Sequence, residues 1–235
     1  MTTGRRARSI ALIGLCAAFT MVFVLLGAWQ VQRRAWKLDL IAKVEQRIHG
    51  EPVPAPVSWS SDDVYRRVRV TGVFDHGDET LVQAVTEKGP GFWVLTPLKT
   101  DRGFTVLVNR GFVPAERKVA ASHPVGPVTV VGLLRATEPK GGFLRQNQPG
   151  AGRWYSRDVQ AIAAAHNLTN VAPYFVDADA TPNPGGWPLG GLTVVRFPNS
   201  HLIYALTWFG LALLTSGAGL YVAYDARRNR DEGAS

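Results

Sequence analysis

The sequence predicts an α+β membrane protein. Two terminal transmembrane helices flank a mostly antiparallel β extracytoplasmic domain, a small barrel or sandwich with one internal helix. Three observations predict it. Two long runs carry no charge, residues 9–32 and 197–224. Arginines lie at the outer end of each run, Arg5, Arg6 and Arg8 before the first, Arg227, Arg228 and Arg230 after the second. Between the runs the apolar pattern changes from period 3.6 to period 2.

The first run is long enough to cross a hydrocarbon core of roughly 30 Å at 1.5 Å per residue. A cleaved signal peptide would carry a shorter apolar core and a small-residue cleavage site. Here Trp29, Gln30 and then Arg33 and Arg34 follow, which marks a retained anchor. The expected boundaries are 1–9 for a cytoplasmic tail, 10–31 for the first span and 32–51 for a helix extension at the outer membrane surface. No Gly or Pro interrupts residues 30–48, and Gly50-Glu51-Pro52 is a stop signal. Trp29, Arg33 and Trp36 share a face at i, i+4, i+7. The two tryptophans suit an interfacial aromatic belt. Arg33 or Lys37 would meet anionic headgroups or the carboxylates of an amphiphilic ligand.

Residues 52–198 form the expected β-rich domain. Pro52, Pro54 and Pro56 read as a stiff, extended linker. Strands are expected at 65–74, 79–85, 92–99, 104–109, 128–135, 173–179 and 192–196. The helix is expected at 156–167, capped by Ser156 with Asp158 in its first turn. Arg110, at a strand end before a turn, reads as solvated or locally paired, with a binding role as the alternative. His76, between Asp75 and Asp78, reads as a solvated turn.

The second span is expected at 199–224, with Pro198 at its mouth and Asn199 or Ser200 as N-cap. A basic tail, 225–235, follows. Arginines beside both termini put them on the cytoplasmic side and the β domain opposite. Small residues on both spans, Gly14, Ala17 and Ala18, and Gly210, Ala212, Ser216, Gly217 and Gly219, permit close packing in lipid.

Composition excludes several chemistries. The net charge of +8 is spread along the chain and gathers beside the apolar runs, which favours a membrane over nucleic acid. The single cysteine, Cys16, lies within the first run, so there is neither an internal disulfide nor a CxxC pair. No Walker A loop, GxSxG elbow, HExxH or GxGxxG occurs. The five histidines have no metal-ligand spacing, although a site assembled in space stays open. Nothing marks the chain as an enzyme.

One histidine is placed for function. His201 opens the second span and shares a helical face with Tyr204, Ala205 and Trp208. An ionisable, metal-competent side chain at a membrane boundary is a functional candidate, with a solvated helix end as the alternative. If the spans pack together, His201 and Arg33 lie at one depth. An imidazole nitrogen beside a guanidinium is what a haem needs for its iron and its propionates. Trp29 joins them, and Tyr204 and Trp208 would line the pocket for the ring.

Several segments together resemble the Surfeit locus protein one family, known in yeast as the Shy one proteins. They are Leu26-Gly27-Ala28-Trp29-Gln30 with Arg33, Trp36 and Lys37, then Tyr65-Arg66-Arg67-Val68 leading to Gly72 and Phe74. Gly91-Phe92, Thr96-Pro97-Leu98 and Val108-Asn109-Arg110-Gly111-Phe112-Val113-Pro114 continue the series. Asn199, His201-Leu202, Tyr204-Ala205 and Thr207-Trp208-Phe209 close it. The resemblance implies an assembly factor for haem-copper cytochrome c oxidase, without catalysis. It would bind haem a, with His201 as the iron ligand, and help insert it into the catalytic subunit. Implied partners are that subunit, haem a synthase and the lipid membrane. A scaffold that grips an oxidase subunit without using haem is the alternative, and a membrane-anchored enzyme or sensor is a third reading. The short basic N-terminus favours the plasma membrane of a bacterium, with the mitochondrial inner membrane as the eukaryotic equivalent.

Overall fold

The structure, a computed structural model, describes residues 3–141, 145–195 and 197–231. It contains two compact units. One comprises the chain up to Lys43 and from Phe197 on, the other Val44–Val195.

The first unit is a pair of long helices. α1 spans Thr3–His49 and α3 spans His201–Asp231, of 47 and 31 residues. Both are long and apolar enough to cross a membrane. At 1.5 Å per residue α1 is about 70 Å long, roughly twice the thickness of a hydrocarbon core. The helices run antiparallel, as their contacts show. Phe23 stacks on Trp208 with centroids 5.8 Å apart, and Thr20 Oγ1 lies 2.9 Å from Thr215 Oγ1. A Cβ built on Gly219 would sit 3.1 Å from Cys16 Cβ. Ala205 and Ala212 are buried in the seam. Small side chains bring the backbones close, and the threonine hydroxyls find partners inside it. The outer faces stay uncovered. Leu25, Ile203, Leu206, Leu213, Leu214 and Leu220 are all more than 60 % exposed.

The second unit is a sheet of seven strands in the order β1-β2-β6-β7-β5-β4-β3. The strands are β1 Val53–Pro54, β2 Arg67–Phe74, β3 Thr80–Thr86, β4 Gly89–Thr100, β5 Thr105–Pro114, β6 Pro127–Ala136 and β7 Val171–Ala178. The end of β4 also pairs with β2, Gly72 opposite Thr100, so β2, β6, β7, β5 and β4 close into a ring. β1 on β2 and β5 on β7 are parallel, and the remaining pairs are antiparallel. The closure explains Gly72, where a Cβ would lie 2.2 Å from Lys99 O.

Both faces of the central strands are buried. Val106 and Val108 of β5 and Tyr174 and Val176 of β7 join Val68, Val70, Leu98 and Leu134 in one cluster. The alternate residues Leu107 and Phe175 face a second cluster with Val82, Leu95, Trp154 and Ile162. This is the period of two read on both sides of one sheet. The second cluster is covered by α2, Val159–Ala165.

Four expectations need correction. The internal helix is shorter and capped by Asp158, whose side chain accepts from Ala161 N–H at 3.1 Å. Ser156 is drawn instead into the preceding loop, where its hydroxyl binds Asn147 Nδ2 and Gly141 N–H. Val53–Pro54 is no free linker but a short strand on β2. The expected strand at 192–196 is not one over its described residues. There Thr193 is held by its hydroxyl, which donates to Asp177 Oδ2 at 2.9 Å; Arg196 lies outside them.

Candidate ligand site at the start of the C-terminal helix

His201 is the first residue of α3. Tyr204 N–H donates to Ser200 O at 3.3 Å, which makes Ser200 the N-cap position. The ring is half-buried, and its Nδ1 lies 2.7 Å from Gln30 Oε1 on α1. An amide oxygen only accepts, so Nδ1 is the donor in this contact, and in the neutral ring Nε2 carries the lone pair. Nε2 has no hydrogen-bond partner among the described residues. A neutral imidazole with one nitrogen fixed and the other open is the form that ligates a metal.

Lys37 lies two helical turns further along α1, and its Nζ donates to the Pro198 carbonyl, tying α1 to the segment before α3. Arg33 lies between Gln30 and Lys37 in sequence, and its guanidinium rests 4.2 Å from the centre of the Trp36 ring. Trp29 and Tyr204 are each 54 % exposed, on faces turned away from the seam. Trp208 packs within it on Phe23. His201 therefore meets Gln30 directly. Gln30 is the residue that sequence reasoning missed, since an uncharged amide at the end of an apolar run carries no charge signal.

The donor set suits a haem. It offers one open imidazole nitrogen, cations at Arg33, Arg34 and Lys37 on the following turns of α1, and exposed aromatic surface at Trp29, Trp36 and Tyr204.

Arg110 and His76 differ from their expected surroundings. Arg110 is 2 % exposed on β5 and is no solvated strand end. Its Nη1 donates to Glu79 Oε2 at 3.3 Å, and its Nη2 bonds the Ser122 carbonyl and hydroxyl. Its guanidinium lies 5.1 Å from the centre of the Phe74 ring. Burial pushes its pKa below the ordinary value, and Glu79 opposes that shift. His76 is half-buried and packs on His123, centroids 4.6 Å apart, rather than facing solvent.

A second buried charge fixes the ring of strands. Asp177 on β7 accepts from Asn109 Nδ2 at 2.7 Å, Arg135 Nη1 at 2.7 Å and Arg157 Nη1 at 3.1 Å. Burial alone would lower the Arg157 pKa, but Asp177 and Glu138 outweigh it and raise it. These bonds connect β5, β6 and β7 with the segment before α2, and they serve architecture.

Comparison with known proteins agrees with the sequence resemblance. The chain matches the profile of the SURF1 family over residues 17–213. It is 40 % identical to Surfeit locus protein 1 of Homo sapiens, covering 81 % of this chain and 70 % of that one. The Mus musculus protein of the same name is 39 % identical, over 81 % and 69 % of the two chains. A SURF1-like protein of Monosiga brevicollis is 37 % identical, over 81 % and 79 %.

Proposed function

The chain belongs to the SURF1 family, and on that premise we propose that it is a membrane-bound assembly factor for haem-copper cytochrome c oxidase. It binds haem a at the membrane interface through His201 and helps place it in the catalytic subunit, without catalysing a reaction. The observation that carries this reading is the His201–Gln30 contact of 2.7 Å, which leaves Nε2 open at the start of an apolar helix.

Two features support the membrane. The uncovered leucines, isoleucine and aromatic residues of α1 and α3 far exceed the apolar patches that soluble monomers expose. The arginines in the first turns of α1 and the last turns of α3 follow the positive-inside rule. Both termini lie in the cytoplasm, the β domain lies on the far side, and the membrane is the plasma membrane of a bacterium.

Within this reading each residue has a separable task. Gln30 holds the imidazole in one tautomer and orientation. His201 Nε2 would ligate the haem iron. Arg33, Arg34 and Lys37 neutralise propionates, with the Arg33 guanidinium steadied by Trp36. Trp29 and Tyr204 would offer apolar surface to the ring, and Trp208 holds the two helices together through Phe23. When bound, haem a supplies the redox group that the oxidase requires. The partners are the catalytic subunit and haem a synthase.

Purification of the parent and of His201→Ala from a haem-a-producing host tests this. The parent carries a Soret band and the variant loses it. Equal pigment in both would overturn the haem role. Loss of pigment with unchanged oxidase assembly would favour a scaffold that grips an oxidase subunit.

A further inference from the structure

We infer that His76, Glu79 and His123 form a binding site in the β domain for a divalent transition-metal ion, with Zn2+ as the natural occupant. The site is distant in sequence from His201, and it stands or falls separately from the haem reading.

The three residues come from two loops. His76 lies in the 3-10 turn His76–Asp78 that follows β2, and Glu79 immediately precedes β3. His123 lies in the connection between β5 and β6. One ligand atom from each falls within 4.8 Å of the other two. A tetrahedral zinc ion with bonds of about 2.0–2.1 Å places its ligands about 3.3 Å apart. Closure by roughly 1.5 Å is therefore needed, and a change of side-chain rotamer at the exposed His123 would supply it. His123 is 55 % exposed in its side chain. Its Nε2 already lies 3.8 Å from Glu79 Oε1.

His76 gives the second, independent observation. Its Nε2 lies 3.0 Å from the Pro124 carbonyl. A carbonyl only accepts, so Nε2 is the donor in this contact, and in the neutral ring Nδ1 carries the lone pair. That Nδ1 is buried and has no hydrogen-bond partner among the described residues. A buried acceptor left without a donor is unfavourable, and a bound cation would satisfy it. A backbone carbonyl that fixes the tautomer while the other nitrogen stays bare is the outer-shell arrangement of metal-bound histidines.

Glu79 is likewise divided. Its Oε2 accepts from Thr96 Oγ1 at 3.0 Å and from Arg110 Nη1 at 3.3 Å. Its Oε1 faces His123. The carboxylate is thus oriented by one oxygen and available through the other. Two imidazoles and one carboxylate, with an open fourth position on the exposed His123 side, match the ligand set of zinc sites that retain a water. The Arg110 guanidinium opposes the ion's charge and keeps the affinity moderate.

The test uses the full chain in detergent, in a His201→Ala background so that the helix-end histidine adds no second site. The protein is stripped with chelator and titrated with Zn2+ against a competing dye. Co2+ serves as a coloured probe of tetrahedral geometry. One equivalent of Zn2+ is expected to bind, with intense visible bands on Co2+ substitution. Loss of His123 in His123→Ala, or of His76 in His76→Phe, is expected to weaken binding by about tenfold or more. The exposed His49→Ala should leave it unchanged. His123 is exposed, so His123→Ala decides the matter even if His76→Phe fails to fold. Absence of stoichiometric binding in the parent overturns the proposal, and so does binding by His123→Ala equal to the parent's.

Discussion

His201 Nδ1 and Gln30 Oε1 lie 2.7 Å apart across the two long helices. This bond sets which imidazole nitrogen faces outward. Gln30→Ala removes it and frees the ring to rotate or change tautomer. Outer-shell partners of metal-bound histidines are worth roughly 10–100-fold in affinity. Haem titration of Gln30→Ala in detergent should show at least about tenfold weaker binding with the Soret band retained at saturation. Gln30→Glu, a stronger acceptor, should bind more tightly than Gln30→Ala. Affinity in Gln30→Ala equal to the parent's would show that the amide does not position the ligand.

Gly27 sits one turn before Gln30, and it is the close approach of the pair. A Cβ at Gly27 would lie 2.6 Å from Phe209 Cε1. Gly27→Ala must therefore push the Phe209 ring aside or part the helices, an overpacking cost of about 1–3 kcal/mol. Because Gln30 lies on the next turn, separation there also lengthens the bond to His201. Gly14→Ala meets nothing within 4 Å and serves as the control. Thermal unfolding in detergent should fall for Gly27→Ala and hold for Gly14→Ala. Equal midpoints would place the helices further apart than described.

The helices are legible in the sequence because an uncharged run declares itself without reference to anything distant. The period of β5 and β7 is legible for the same reason, since Val106, Val108, Tyr174 and Val176 alternate locally. Closure of the ring is not. It depends on Gly72 meeting Thr100, a pairing set by the sharp path of β4, whose register slips between Trp93 and Leu95. The partner of His201 is hidden likewise, because Gln30 lies 171 residues away and bears no charge. Arg110 reads as a surface residue until Glu79, 31 residues earlier, is brought beneath it.

That pairing carries its own expectation. Arg110 is 2 % and Glu79 15 % exposed in the side chain. Removing one partner of a buried ion pair typically costs about 3–5 kcal/mol, because the other charge stays unpaired. Glu79→Ala should accordingly lower the urea midpoint of the β domain sharply. The double variant Glu79→Leu with Arg110→Met should recover much of that loss, as apolar replacements of buried pairs do. Urea titrations with chelator present separate this effect from metal binding. A double variant as unstable as Glu79→Ala would mean that Ser122, not Glu79, is the essential partner of Arg110.

Tyr174 ties the inner core of the ring to the chain that enters it. Its side chain is fully buried, and its hydroxyl donates to the Pro56 carbonyl. Burial pushes its pKa up to about 12, with Arg102 opposing and Asp63 reinforcing the shift. In the unfolded chain a tyrosine titrates near 10. Between pH 10 and 12 the unfolded state therefore releases a proton that the folded state keeps. The stability from this group is complete below about pH 10 and drains away as pH rises towards 12. At about 1.4 kcal/mol per unit the loss is on the order of 2 kcal/mol. Tyr174→Phe cannot ionise, but it leaves the Pro56 carbonyl unpaired, which costs about 1 kcal/mol at neutral pH. Urea unfolding at stepped pH should thus find the parent more stable at pH 8 and the two curves crossing between pH 10 and 12. The other tyrosines and the lysines titrate in both proteins, so the difference isolates this hydroxyl. Parallel curves across that window would mean that the ring is open enough for Tyr174 to ionise in place.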